Sequence, residues 1–229
     1  MLSDNQYRER FPMKFLRNNW FYFAMIAFAL IALYAVAFMP NFDTVQRLLL
    51  VSLMILPLHQ AEEYIFPGGG PVVINRYFYG NKESFRVYPG NWNSVMVVNL
   101  SAYIFYLLAF LFPELIWLGL GTILFNLYQV LGHCIQMNLK MKSWYNPGAA
   151  TSLFLLLPVS VYFLATVINS GSLSVLDWIF GVASFLLMLA FCVIVPIQLM
   201  KDKNSAYLIP QQQVDALEKV CRWACLPKV

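Results

Sequence analysis

Between Trp20 and Leu199 the chain is a near-continuous succession of apolar stretches, at about 20–39, 47–66, 94–112, 115–139, 150–168 and 176–199. A helix rises 1.5 Å per residue, so ~20 apolar residues match the ~30 Å hydrocarbon core of a bilayer. Five stretches reach that length easily, whereas the second does so only if it takes in His59, Glu62 and Glu63. The clusters FPGGGP, YPGNWN, FPE, YNPG and NSGS fall between stretches, where chains turn. Only 11% of the 229 residues are charged, against about 25% in soluble domains. The expected fold class is all-α, a polytopic transmembrane helical bundle of six spans in contact with the lipid bilayer.

Charge placement orients that bundle. Of the 15 lysines and arginines, 14 fall before the first stretch, in alternate gaps, or after the sixth, and Arg47 alone lies on the other side. By the positive-inside rule both termini are cytoplasmic. The expected division is a cytoplasmic segment over 1–19, a membrane domain over 20–200 and an amphipathic cytoplasmic tail over 201–229. Ala35 and Ala37 resemble a signal-peptidase site, but the apolar run before them exceeds the usual 7–15 residues, and cleavage would spoil the alternation. The first stretch is therefore read as an uncleaved helix. The net charge of +4 is spread between apolar segments, so it gives no reason to expect nucleic acid. Cys134, Cys192, Cys221 and Cys225 form no CxxC pair, and a structural disulfide is not expected on the cytoplasmic side.

Three polar residues close the second stretch. At 100° per residue, Glu63 lies about 40° from His59 on one side and Glu62 about 60° on the other, so all three share a face. The fourth stretch carries Thr122, Asn126, Gln129, His133 and Gln136 within an arc of roughly 80°. Lipid cannot satisfy such a stripe, so it must face the bundle interior or a wet cavity. Asn99, Tyr103 and Tyr106 mark one face of the third stretch, and Tyr145 and Asn146 precede a helix expected to start at Pro147. His59 and His133, the two histidines, each lie about 10 Å inside the cytoplasmic end of their stretch. One polar site at one depth is the expectation.

The HQAEE run of His59, Glu62 and Glu63, followed by Asn126, His133, Pro147, Gly148 and Thr151 in order, resembles the HXXEE-domain membrane proteins. The resemblance covers about 45–200 and implies a shared fold and polar centre; the family supplies no reaction. An EExxxR protease motif is not met, because YIFP follows Glu63.

Two imidazoles with one or two carboxylates suit a divalent metal ion such as zinc, iron or manganese, so His59, Glu63, Glu62 and His133 are the candidate ligands. Glu62 and Glu63 are the candidate catalytic groups, one as ligand and the other as general base or as partner to a histidine. Asn99, Asn126, Gln129, Tyr103 and Asn146 would support these residues or touch a hydrophobic or amphiphilic small molecule. Three alternatives stay open. The first is a metal-free acid–base isomerase, since burial brings acids and imidazoles toward neutrality. The others are a proton-coupled carrier and an accessory subunit whose buried pairs only join helices.

The orientation has a direct check. In a background with the native cysteines changed to serine, Lys203→Cys should react with a membrane-impermeant maleimide only once the cytoplasmic face is opened. Labelling from outside intact cells would invert the topology.

Overall fold

The computed structural model describes residues 11–171 and 173–226, so Arg8, Arg10 and Lys228 of the charge pattern lie outside it. Six helices are long and apolar enough to cross a membrane: α1 (Pro12–Asn41), α2 (Thr44–Tyr64), α4 (Trp92–Leu111), α5 (Ile116–Met141), α6 (Ala149–Asn169) and α7 (Val175–Met200). A short helix, α3 (70–78), and a tail helix, α8 (Gln211–Ala224), complete the described elements, with no strand among them. Val36, Phe154 and Leu199 are 83, 71 and 79% exposed, a surface suited to lipid and not to water.

Helix ends follow local chemistry. Asp43 caps α2 by accepting the Gln46 amide at 2.8 Å. Arg47 donates to the Met39 and Pro40 carbonyls at the end of α1, which accounts for the basic residue on the sparsely charged side. Asn91 and Ser94 form a capping box on α4, and Ser174 with Asp177 forms another on α7, so Asp177 is a first-turn acid. Pro147 lies outside α6, contrary to the expected helix start. Gly148 is the N-cap instead, at φ +102°.

Small residues let α5 lie close to its neighbours, as in other membrane helix pairs. A Cβ on Gly121 would collide with Ser184 of α7, and one on Gly119 with Phe163 of α6. Gly181 of α7 lies against Leu120 in return. Farther along α5, residues Leu131–Met137 form a π-helical stretch, a feature frequent at functional sites.

The FPGGGP segment is more ordered than the expected loop. Gly69, left-handed at φ +97°, starts α3, and the amphipathic tail helix packs on it through Val214, Leu217 and Val220. Gln213 spans the junction, donating to the Tyr64 carbonyl at 2.8 Å and accepting the Gly69 amide at 2.7 Å. Trp92 belongs to this core: it is 3% exposed and lies beside Phe21 and Tyr64. All four cysteines are free, and burial beside Cys221 pushes the Cys225 thiol up to about 11, which keeps it protonated at neutral pH.

A Cβ at position 69 would overlap the Leu217 backbone and side chain, on a backbone that already disfavours L-residues. Gly69→Ala should therefore cost about 1–3 kcal/mol and expose α8 to protease, as thermal unfolding and limited proteolysis would register.

Candidate metal centre

His59 and Glu63 stand one turn apart near the end of α2, while His133 comes from the π-helical stretch of α5. The two imidazole rings meet edge to face, with centroids 4.9 Å apart. One ligand atom each from His59, Glu63 and His133 lies within 4.8 Å of the others, and all three residues are buried. The spacing argument and the depth argument thus converge on one place.

The outward nitrogen of each ring is fixed by hydrogen-bond arithmetic. Thr151 Oγ1 donates its one proton to Glu62 Oε2 at 2.5 Å, so it must accept from His59 Nδ1, 2.8 Å away. Asn146 uses its amide protons on the His133 and Asn138 oxygens, both at 2.7 Å, leaving its Oδ1 to accept from His133 Nδ1 at 2.9 Å. In this tautomer both Nε2 atoms carry lone pairs, and both belong to rings that face Glu63. His133 Nε2 is 3.4 Å from Glu63 Oε1, longer than an ordinary N–H···O bond. His59 Nε2 is buried with no hydrogen-bond partner. Acceptor atoms gathered in one buried cluster favour something positive among them, either a proton or a metal ion.

Glu62 is placed differently from its neighbour. Its carboxylate accepts from the Tyr145 hydroxyl (2.8 Å), the Ala150 and Thr151 amides (3.0 and 2.7 Å) and the Thr151 hydroxyl. Those amides belong to the first turn of α6, where backbone donors have no intrahelical acceptor and the dipole favours an anion. All four of its acceptor positions are filled, so Glu62 acts on the cluster through Thr151 and His59. Burial, followed by the carboxylate it donates to, holds the Tyr145 phenol above its ordinary range.

The remaining expected site residues divide. Asn146 orients His133. Asn99 and Gln129 line a cavity of about 130 Å³ whose floor is His59, Glu63 and His133. Tyr103 stands one step back and donates to Gln60 at 2.7 Å, while Gln60 donates to the Asn99 carbonyl. Asn126 joins helices elsewhere: it donates to Ser52 of α2 and accepts from Tyr106 of α4. Sequence reasoning named Thr151 only as part of a motif and missed Asn138; a hydroxyl or amide near a histidine in space leaves no mark in spacing along one helix. Clefts of about 470 and 610 Å³ flank α8, and none of the three cluster residues lines them.

Two glycines make room for this arrangement. A Cβ on Gly148 would overlap the His133 ring, and one on Gly70 would press on Glu63. Gly80 also has a positive φ, +70°, but nothing lies within 4 Å of its Cβ position. Gly80→Ala should cost only the backbone term, ~1–2 kcal/mol, whereas Gly148→Ala adds overpacking of ~1–3 kcal/mol and displaces His133. Unfolding of the two variants side by side in detergent would measure the difference.

The family described as "Protein of unknown function with HXXEE motif" matches residues 50–163, which include every residue of the cluster and its supports. The match is narrower than the 45–200 suggested by motif order. No curated protein and no solved structure matches the chain.

Proposed function

We propose that this chain, which carries an HXXEE-family region over residues 50–163, is a membrane-embedded, metal-dependent enzyme that acts on a hydrophobic or amphiphilic substrate from the cytoplasmic leaflet. The observation that carries the reading is the buried, unpartnered His59 Nε2 in a ring that meets His133 and belongs to one cluster with it and Glu63. Structural helix pairing does not account for a buried acceptor left without a donor, because such an atom costs free energy unless a cation takes it up.

His59, His133 and Glu63 would hold the ion, a two-histidine, one-carboxylate set that suits zinc, iron or manganese. The ion supplies Lewis acidity, polarising an oxygen of the substrate or easing deprotonation of water. Everything else is the work of the chain. Glu62, through Thr151, keeps the proton of His59 on Nδ1, and Asn146 does the same for His133, so each Nε2 is presented unprotonated. Leu56, Ala102 and Phe125 line the cavity with apolar surface and limit water at its floor.

One observation favours a second reading. At 3.4 Å, His133 Nε2 and Glu63 are within ion-pair range once the imidazole takes up a proton, which would make the pair a metal-free acid–base catalyst.

Elemental analysis of detergent-purified protein separates the two. The metal reading expects stoichiometric zinc, iron or manganese in the wild type, and its loss in folded His59→Ala and Glu63→Gln. Thr151→Val should bind the ion about 10–100-fold more weakly, as loss of such supporting partners does elsewhere. A metal-free wild type transfers the function to the acid–base pair.

A further inference from the structure

Gly132 sits in the π-helical stretch of α5, next to His133, and lines the cavity above the cluster. Glycine inside a membrane helix usually marks a close helix approach, as Gly119 and Gly121 do on this same helix. At Gly132 there is no such neighbour: a Cβ built there meets nothing within 4 Å. What its missing side chain opens is the cavity wall.

The wall chemistry narrows what enters. Beside the cluster the lining offers the amides of Gln60, Asn99, Gln129 and Gln136 and the phenols of Tyr64, Tyr79 and Tyr128. Asn99 spends its Nδ2 protons on Tyr64 and Val95, so its Oδ1 remains an acceptor. The Gln129 side chain makes no hydrogen bond among the described residues. The remaining lining is apolar, and no lysine or arginine is part of it. Glu62 and Glu63 would already balance a divalent ion held there, so a phosphate head would bring uncompensated charge into this space. The volume of about 130 Å³ is close to the ~150 Å³ that holds a benzene-sized group. It fits a small head and the first few carbons, not a whole glycerophospholipid.

The geometry points to an uncharged, single-chain lipid with a small hydroxyl- or amide-bearing head as the occupant. Asn99 and Gln129 receive the head, and Gly132 leaves the passage beside it open. This rests on the proposed reading of the site as a lipid-substrate enzyme and specifies its substrate class.

The test uses the full chain in nanodiscs with two probes, a diazirine-bearing hexadecanol and the matching hexadecyl phosphate. The alcohol should label the α5 peptide that contains Gly132, and the phosphate should label it about 10-fold less or weaker. Gln129→Leu should lower alcohol labelling by about 10-fold, the scale of one lost hydrogen bond in an enclosed site. Gly132→Leu should abolish it by filling the passage. Equal labelling by the two probes in the wild type overturns the inference without reference to any variant. So does labelling that survives Gly132→Leu. Metal content is measured on the same samples: metal-loaded protein that fails to take the alcohol sinks this inference alone, and metal-free protein that takes it sinks the metal reading alone.

Discussion

Each of the two histidines is gripped by the ring nitrogen that faces away from the cluster, and the polar interior is built outward from that restraint. A neutral imidazole has one donor and one acceptor, so fixing the donor fixes where the lone pair points. Thr151 does this for His59 and Asn146 for His133, and each is itself held by a further acceptor, Glu62 in one case and Asn138 in the other. Free rotation of either ring would scatter the acceptors and remove the demand for a cation. The adjacent acids have divided labour accordingly: Glu63 faces the cluster, while Glu62 is consumed by the first turn of α6.

The helices supply rigidity at those same points. Close contacts at Gly119, Gly121 and Gly181 bind α5 to α6 and α7, so His133 extends from a helix whose position is set by packing. The Ser52–Asn126–Tyr106 bridge joins α2, α5 and α4, two of which carry the cluster. In a bilayer such internal hydrogen bonds matter as much for geometry as for stability, because the unfolded-in-membrane chain finds partners too.

The spans were legible because a hydrocarbon slab imposes one length on every crossing helix, and the i, i+4 spacing of His59 and Glu63 put both on one face whatever the tertiary detail. Equal depth of His59 and His133 followed from the same rise per residue. The difference between Glu62 and Glu63 was not legible. It depends on which amide groups of α6 approach α2, and nothing in HQAEE encodes that. Asn126 shared a helical arc with His133, yet its partners are Ser52 and Tyr106 on other helices, neither of them a support of the cluster. Gln136 shows the limit of the arc itself: a regular 100° step cannot describe a π-helical stretch, and Gln136 ends exposed at the cavity's edge. Gly148 was visible in the motif, but its backbone conformation, which starts α6 later than Pro147, was not.

The tail helix bears on how the molecule comes into being. Gln213 fastens α8 to the end of α2, and Trp223 stacks on Tyr145, whose hydroxyl reaches Glu62. The ribosome makes these residues after all six spans. His59, Glu62 and Glu63 therefore precede by four spans the segment that locks their surroundings. The surroundings of the cluster are complete only once translation has passed the sixth span.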